Sequence, residues 1–381
     1  MAEQNYSKGL EGVIADESTI CQIDGVNGKL SYRGYVIDDL VRSSTFEETA
    51  YLLLFEHLPN RGELELFIAS MRSGRNISEP VRDIIRGFPS AGAPMELLQS
   101  IISYLSGYVA HKIKHSATCN CRDTLHQIAQ LPTVIAAYHR FRAGKPYVAP
   151  LDDLGHGANF LYMLRETEPQ PYEAAIMDKS LILHAEHGFN ASTFTARVVA
   201  STMSTCYSSI SAAIGALRGS LHGGANENVL DMLQEIGAVE NVAAWMDKAL
   251  SEKRKIPGMG HREYKVKDPR SMHMEGFLRE LSERKGNSRY LSILTKIEET
   301  FRTRMEKSGK PLYPNVDFYS GSVYTLLGIP KDLFTPIFAL ARTAGWLAHI
   351  LEQRKDNRIY RPEALYTGPA LRPYVAIDKR E

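Results

Sequence analysis

His222 and His261 of this 381-residue chain each stand directly beside glycines at a predicted element boundary, an arrangement that suits the binding of anions or carbonyl oxygens. His222 precedes a Gly-Gly pair, and His261 follows a Gly-Met-Gly sequence. Glycine lets a ligand approach the main chain closely, and a helix that begins there presents free N–H groups. Either histidine alone is better explained as a capped residue in a turn. Both together, with several arginines and with Asp317 isolated between apolar neighbours, indicate a functional site.

The candidate residues lie in four segments that are far apart along the chain. These segments are HAEHGFNAST at 184–193, LRGSLHGGANE at 217–227, IPGMGHREYKVKDPR at 256–270 and YPNVDFYSG at 313–321. The chain contains neither the G-x-x-x-x-G-K-[ST] phosphate loop nor the G-x-S-x-G elbow. The Gly-Met-Gly sequence also lacks the third glycine and the preceding strand of a dinucleotide fingerprint. No standard nucleotide-binding site is therefore predicted.

Two histidine-rich groups could supply metal ligands, and neither has the usual ligand spacing. The Cys-x-Cys pair of the first group is too close for a typical zinc site, and its polar surroundings favour a solvated surface. This group comprises His111, His115, Cys119, Cys121 and His126. The second group, His184-Ala-Glu-His187, departs from the H-E-x-x-H motif and favours packing or substrate binding. We predict no catalytic metal.

The composition is that of an ordinary soluble globular protein, with 44% hydrophobic and 23% charged residues. A net charge of +1 provides no overall field for nucleic acid or an anionic membrane, so clustered cations must hold any anionic ligand. The first residues lack the pattern of a signal peptide, and no apolar run reaches the roughly 18 residues of a spanning helix. Four cysteines make no disulfide framework and favour a reducing compartment. We expect a cytoplasmic protein.

Helical patterns dominate the elements that must position the candidate residues. The pairs Ser44/Glu47 and Asn60/Glu63 have the spacing of helix capping boxes. Further helices are predicted over 125–141, 174–185, 247–252, 290–307 and 334–353. The clearest strand signal surrounds a turn at Asp24–Gly28, where we expect a small hairpin. The chain is therefore predicted to be mainly α-helical with a small N-terminal β-hairpin.

Three further stretches bear on the domain organisation. The helices predicted over 192–204 and 208–217 are rich in small side chains, which favours tight packing. Glycine-rich breaks bracket residues 219–327, the best candidate for a second domain. The Pro-rich C-terminal segment lacks helical periodicity but contains four apolar or aromatic anchors, which favour an extended path over a surface. These anchors are Leu365, Tyr366, Leu371 and Tyr374.

In its motifs the sequence resembles the citrate synthase family nearly from end to end. The resemblance begins with GLEGV and IDGVNGKLSYRGY, and it includes NASTFTARVVASTMS and the four segments above. It continues through ARTAGWLAHILEQ and ends with NRIYRP. SLHGGANE, GMGHREYKVKDPR and PNVDFYSG together are highly specific. Residues 111–121 match no motif of the family.

The resemblance implies an almost wholly helical fold of two domains. The large domain would comprise residues 1–217 and 328–381, and the small domain, 218–327, would carry the CoA-binding and catalytic residues. The family works as a homodimer whose active sites lie between the domains and are completed by the partner, with the C-terminal tail crossing over. Acetyl-CoA is a co-substrate, and no tightly bound cofactor or catalytic metal is implied.

The resemblance also implies the chemistry, which condenses acetyl-CoA with oxaloacetate and hydrolyses citryl-CoA to citrate and CoA. Removal of a weakly acidic methyl proton requires a base and stabilisation of the enolate oxygen. Asp317 matches the family's base. His222 matches the group that hydrogen-bonds the thioester oxygen, and His261 matches the group that polarises and protonates the ketone.

Oxaloacetate carries two carboxylates, for which the planar fork of arginine is the suited cation. The matching substrate-binding residues are His187, Arg270, Arg342 and Arg361. Of these, Arg361 would reach the partner's site. CoA is expected along five consecutive residues, Ile256, Pro257, Gly258, Met259 and Gly260. The three cations next to this segment are Lys253, Arg254 and Lys255. They would either neutralise the phosphates of CoA or form only a solvated helix end.

The motifs leave two other functions to be weighed. A 2-methylcitrate synthase, which uses propionyl-CoA, would share all of these catalytic motifs. The difference of one methylene is worth only about 1–3 kcal/mol in an apolar pocket, so few side chains decide it. A non-catalytic assembly protein on the same fold would be expected to lack His222, His261 or Asp317, and all three are present.

Overall fold

The computed structural model describes residues 6–108, 121–306 and 312–380. Within these residues the chain forms sixteen α-helices and one small antiparallel sheet, so the predicted fold class is confirmed. The helices are α1 (Ile37–Ser43), α2 (Phe46–Phe55), α3 (Arg61–Gly74), α4 (Glu79–Gly87), α5 (Pro94–Leu105), α6 (Cys121–Arg142), α7 (His156–Arg165), α8 (Pro171–His184), α9 (Ala191–Ser201), α10 (Cys206–Arg218), α11 (Ala225–Ile236), α12 (Val242–Ser251), α13 (Pro269–Arg284), α14 (Arg289–Glu306), α15 (Asp317–Leu326) and α16 (Phe334–Lys355). The strands are β1 (Cys21–Asp24), β2 (Lys29–Tyr32) and β3 (Tyr35–Val36).

The N-terminal hairpin forms where the sequence predicts it. β1 pairs with β2 so that Cys21 lies opposite Tyr32 and Asp24 lies opposite Lys29. The chain then reverses again through Gly34, whose φ of 86° is readily adopted only by glycine, and β3 pairs with β2. Tyr32 is fully buried, and its hydroxyl donates to the main-chain oxygen of Glu186 at 2.9 Å. The hairpin is therefore fastened to the residues that follow α8.

The predicted capping box at Ser44/Glu47 is wrong by one residue. The N-cap of α2 is Thr45, whose hydroxyl accepts from the Glu48 amide while the Glu48 carboxylate accepts from the Thr45 amide. Glu47 instead faces the interior and accepts a hydrogen bond from the His156 amide at 2.8 Å. Spacing alone did not distinguish the two registers, because both begin with a hydroxyl residue and end with glutamate. The box predicted at the start of α3 is confirmed.

Helix α16 is the central element of the core and contributes one of the candidate arginines. It packs against α2, α6, α8, α9 and α10, and its residues from Phe334 to Ile350 are almost all buried. The buried stretch includes the polar residues Arg342, Thr343 and His349. A charged group so deep in a helical core requires partners, and Arg342 faces the cavity described below.

The small-residue helices α9 and α10 pack closely against each other, as predicted. Ala196, Ala200, Ser209 and Ala213 are completely buried on them. Helices α11 to α15 form a second group, in which α15 packs against α11 and α13 while α12 packs against α14. The domain boundaries at residues 218 and 327 remain a prediction.

The C-terminal segment after α16 is exposed in this single chain. The four predicted anchors have exposed fractions of 61%, 75%, 106% and 85% for Leu365, Tyr366, Leu371 and Tyr374, so they cover no surface of their own chain. No described helix is both long and apolar enough to cross a membrane.

Candidate active site

A cavity of about 1150 Å³ brings together side chains from all four predicted segments. Its lining includes every predicted catalytic residue and three of the four predicted substrate-binding residues. These are His222, His261, Asp317, His187, Arg270 and Arg342. Residues as far apart in the sequence as His187 and Arg342 therefore face one cavity.

His222 lies in the turn between α10 and α11, next to two glycines. The chain passes so close to α10 that a Cβ on Gly223 would lie 2.1 Å from the Leu217 carbonyl oxygen. The His222 ring atom Nε2 is 3.2 Å from the Ser192 amide nitrogen and 2.8 Å from Ser192 Oγ. An amide N–H can only donate, which favours the tautomer with its proton on Nδ1. Burial lowers the pKa of His222 to about 4, so the ring is a neutral hydrogen-bond donor at neutral pH.

The contact between Ser192 and His222 leads to a first prediction. The Ser192→Ala variant loses a hydroxyl that contacts the ring, so we expect kcat to fall roughly threefold to tenfold, the worth of one hydrogen bond, with the KM for the substrate nearly unchanged. Steady-state kinetics will measure this. The matched control is Ser209→Ala, because Ser209 is equally buried and donates only to the Thr205 main chain. Equal losses in the two variants would contradict a specific role of Ser192.

His261 follows Gly260, whose φ is 88°, and is oriented by its own loop. Its Nδ1 accepts from the main-chain amides of Glu263 and Tyr264 at 3.0 and 3.3 Å. The ring proton is therefore on Nε2. Burial lowers the pKa of His261 to about 4, so this ring is also a neutral donor at neutral pH.

Asp317 is the first residue of α15, and Asn315 joins it to the histidine loop. The Asn315 side chain accepts from the Asp317 amide at 2.9 Å and donates to the Gly260 carbonyl at 2.9 Å. The Asp317 carboxylate accepts no hydrogen bond from any residue in the described part of the chain. Burial raises the pKa of Asp317 to about 6, although the charge of Arg270 opposes the shift. A carboxylate with this pKa is a stronger base than an exposed aspartate and is still ionised at neutral pH.

Two buried arginines supply positive charge to the same cavity. Arg270 is 2% exposed and makes a two-point ion pair with Asp268, through Nε at 3.0 Å and Nη2 at 2.7 Å. Arg342 is 1% exposed, and its Nε donates to the His184 carbonyl at 2.7 Å. The buried Nη2 of Arg342 has no hydrogen-bond partner among the described residues. An unpaired buried guanidinium nitrogen is costly, so the site is built to receive an anion.

Comparison with known proteins identifies the family. The sequence profile described as "Citrate synthase, C-terminal domain" matches residues 9–363. The chain belongs to the citrate synthase family. A citrate synthase from Acidithiobacillus ferridurans is 45% identical over 100% of both chains, and one from Synechocystis sp. is 44% identical over 98% of this chain and 94% of its own length. The family also includes 2-methylcitrate synthase 1 of Corynebacterium glutamicum, which is 39% identical over 100% of both chains.

The fold is also that of a citrate synthase. The citrate synthase of the thermophilic archaeon Thermoplasma acidophilum, solved as a ternary complex with carboxymethyl coenzyme A and oxaloacetate, has a TM-score of 0.92 to this structure. That chain is 32% identical, and the alignment covers 98% of this chain and 99% of the other. The recognition of the family from its motifs is therefore confirmed.

The segment that the citrate synthase resemblance assigns to CoA is partly engaged in other contacts. Gly260 lines the cavity, whereas the other four residues predicted for CoA do not. The Gly260 amide donates to the Tyr313 carbonyl at 2.8 Å, and the Gly258 carbonyl accepts from the Asn315 amide at 2.9 Å. A Cβ on Gly258 would lie 2.7 Å from the Cα of Phe318, so the segment packs directly against the start of α15. The two segments that carry His261 and Asp317 are thus held side by side.

The cations beside this segment differ in their availability. Arg254 pairs with Glu235 through both terminal nitrogens, and its guanidinium carbon lies 5.2 Å from the centroid of the Trp245 ring, within cation–π range. A phosphate would therefore have to compete for Arg254. The described structure shows no partner for the side chains of Lys253 and Lys255. These two lysines are the freer candidates for a CoA phosphate.

Arg361 is the predicted substrate residue that this single chain does not bring to the cavity. It is exposed, whereas Tyr360 before it is anchored by a hydrogen bond from its hydroxyl to Asp16 at 2.7 Å. Asp16 lines the cavity and also pairs with the buried Arg197 at 2.8 Å. The chain is therefore held at the rim of the cavity immediately before Arg361 and then leaves its own surface.

The two histidine-rich groups have different outcomes. The first has most of its members, from His111 to Cys121, outside the residues whose side chains are described. In the second, His184 Nδ1 lies 2.8 Å from the Ser180 carbonyl, and Glu186 lies 3.0 Å from His349. His187 faces the substrate cavity instead, with its Nε2 3.2 Å from the Tyr264 hydroxyl. Among the described residues no group of three potential ligands is placed to hold a metal ion.

Several residues of the site were not predicted. Ser192 orients His222, Tyr264 contacts both His187 and His261, Asn315 joins two loops, and Asp268 pairs with Arg270. All of them stand within the quoted motifs. Their side-chain partners are mostly distant in the sequence, as with Ser192 and His222, so spacing held no signal for these roles.

Proposed function

We propose that this protein condenses acetyl-CoA with oxaloacetate and hydrolyses the citryl-CoA formed, giving citrate and CoA, the first step of the tricarboxylic acid cycle. The observation that carries the proposal is the meeting of Asp317, His222 and His261 in one cavity beside two buried arginines. The reaction makes it an acyltransferase that converts the acyl group to alkyl on transfer. Its co-substrate is acetyl-CoA, and no tightly bound cofactor is required.

The site residues can perform the steps in order. Asp317 takes a methyl proton from the acetyl thioester, while the Nδ1–H of His222 donates to the thioester oxygen as negative charge develops there. The resulting enol carbon attacks the ketone carbon of oxaloacetate. His261 gives its Nε2 proton to the ketone oxygen, which becomes the hydroxyl of citryl-CoA, and the ring regains a proton as Asp317 releases the one that it took. Water then cleaves the thioester and releases CoA as a thiol.

Neutral histidines suit these two roles. A neutral imidazole can donate to an oxygen without first holding a full positive charge that would attract the substrate carboxylates. Both rings have a tautomer set by main-chain amides, and both are neutral at neutral pH because of burial. Arg270, Arg342 and His187 would bind oxaloacetate through its carboxylates, and the unpaired Nη2 of Arg342 would gain a carboxylate partner.

The ionisation of Asp317 leads to a second prediction, for the pH dependence. The base acts only when it is ionised, so kcat/KM for acetyl-CoA should rise with pH through about 6 and level off above it. His222 and His261 are already neutral above about pH 4 and should add no further inflection near neutrality. Initial rates from about pH 5 to pH 8 will test this. A flat profile down to pH 5 would contradict the proposed base.

The alternative substrate is propionyl-CoA. Four relatives at 44–45% identity are all named citrate synthase, whereas relatives of both names occur at 39%, and the names at the higher identity favour acetyl-CoA. We expect kcat/KM to be about 10–200-fold higher for acetyl-CoA, the discrimination that one methylene allows. The rate of CoA thiol release with each acyl-CoA, at saturating oxaloacetate, decides between them. A higher kcat/KM with propionyl-CoA would replace the proposed substrate.

A homodimer with Arg361 donated to the partner's site is part of the same proposal. The exposed anchors and the fixed position of Tyr360 at the cavity rim support a tail that packs on another subunit. A subunit with this tail free would present several large apolar side chains to water. The cytoplasmic location predicted from the sequence, and the division into a large and a small domain, stand as proposals as well.

A further inference from the structure

The turn of the N-terminal hairpin contacts the loop that follows His261. The Lys265 amide donates to the Gly25 carbonyl at 2.8 Å. A Cβ on Gly25 would lie 2.1 Å from the Glu263 carbonyl oxygen, and one on Gly28 would lie 2.7 Å from the Val266 side chain. The two main chains therefore approach so closely at Gly25 that there is no room for a side chain at this position. The proposed reaction does not itself use this turn.

The turn is rigid enough to act as a support. The Asp24 carboxylate accepts from the amides of Val26 and Asn27 at 3.2 and 2.9 Å, and from the Asn27 side chain at 2.7 Å. Strands β1 and β2 continue it into the protein, where the Tyr32 hydroxyl donates to the Glu186 carbonyl at 2.9 Å. The hairpin thus joins the residue before His187 to the loop after His261.

The loop held by the turn is the one that orients the catalytic ring. The amides of Glu263 and Tyr264 donate to His261 Nδ1, and the carbonyl of Glu263 is the atom packed against Gly25. Any displacement of this loop moves the two amides that fix the ring and its tautomer. The rings of His187 and His261 are 5.2 Å apart, so the hairpin supports both sides of this pair.

We infer that the hairpin turn is a positioning element for His261, and that Gly25 is required because only glycine lets the His261 loop dock there. This inference rests on the proposed function. Gly25 lies in the predicted large domain and the loop in the predicted small domain, so the contact forms only when the two are together. The turn would therefore couple the approach of the domains to the orientation of the ketone-polarising group.

The Gly25→Ala variant tests the inference with a single added methyl group. Gly25 does not have a positive φ, so alanine is strained there only by the contact with Glu263. The matched control is Gly87→Ala, because a Cβ on Gly87 meets nothing within 4 Å. We expect kcat to fall about 10–100-fold in Gly25→Ala, since small displacements of a catalytic group have effects of this size. The Kd of oxaloacetate should stay within about threefold, because the arginines are untouched.

A spectroscopic measurement separates positioning from general damage. The infrared stretch of the oxaloacetate ketone, recorded on the bound substrate, reports how strongly His261 polarises it. In Gly25→Ala we expect the stretching frequency of the bound ketone to move back towards the value for free oxaloacetate. In Gly87→Ala it should keep the wild-type value. If Gly25→Ala does not fold, Asp24→Ala provides a second variant, because it removes the carboxylate that holds the turn. It should show a smaller change of the ketone stretching frequency in the same direction.

The outcomes are distinguishable from a failure of the proposed function. A wild-type protein that releases no CoA thiol contradicts the function itself. The inference about the turn is overturned if the wild type is active and Gly25→Ala has the same kcat and the same ketone stretching frequency as Gly87→Ala. A loss of kcat in Gly25→Ala with an unchanged ketone stretch overturns it too, because His261 would then be correctly placed without the contact.

Discussion

The Asp317→Asn variant is expected to lower kcat for condensation by about 10²–10⁴-fold, the contribution of a general base. Asparagine has nearly the same shape but cannot take the methyl proton. The affinity for oxaloacetate should stay within a few fold, because Arg270 and Arg342 bind the ground state and remain in place. Turnover from the CoA thiol assay and Kd from calorimetry provide the two measurements.

A matched control exists for this substitution. Asp178 is another half-buried aspartate, and desolvation raises its pKa to about 7, but it accepts from the Phe46 amide and does not line the cavity. The Asp178→Asn variant should therefore keep kcat close to that of the wild type. Retention of more than about a tenth of wild-type turnover in Asp317→Asn would remove Asp317 from the role of base.

The Arg361→Ala variant is expected to lose activity because a substrate carboxylate is left without its partner. The cost of an unpaired, buried charge is about 2–5 kcal/mol, which corresponds to a loss of roughly 30-fold or more in kcat/KM. Because Arg361 is exposed in its own chain and follows an anchored Tyr360, we expect it to act in the partner's site. Arg358→Ala, a nearby exposed arginine before the anchor, is the control and should remain active.

Subunit mixing tests whether Arg361 acts in trans. Arg361→Ala and Asp317→Asn are each inactive alone, and their subunits are allowed to exchange. About half of the dimers are then mixed, and one of their two sites combines an intact Asp317 with an intact Arg361 from the other chain. Activity should rise towards about a quarter of wild type. No recovery, with exchange verified by mass spectrometry, would place Arg361 in its own chain's site.

The helices and the hairpin could be predicted because their signals are local. The Asn60/Glu63 box and the turn at Asp24–Gly28 each lie within a few residues, and both are found in the structure. The Ser44/Glu47 box failed for a reason that is not local. The Glu47 carboxylate accepts a hydrogen bond from the His156 amide in the interior, and only the folded chain shows that contact.

The roles of the site residues could be predicted only by resemblance, and the supporting contacts could not be predicted at all. The residue types at His222, His261 and Asp317 indicated a site, but the geometry that decides their tautomers comes from Ser192 and from the amides after His261. Such contacts depend on helix packing rather than on spacing. The exposed tail is a similar case, since its anchors need a surface that this chain does not provide.

The most direct test of the proposed function is the identity of the product. Purified protein is given acetyl-CoA labelled with ¹³C in the acetyl group, together with oxaloacetate, and both the CoA thiol and the acid product are measured. We predict that thiol appears only when both substrates are present and that labelled citrate forms in equal amount, with neither detected from Asp317→Asn on the same timescale. Thiol release that does not require oxaloacetate, or that yields no labelled citrate, would contradict the account.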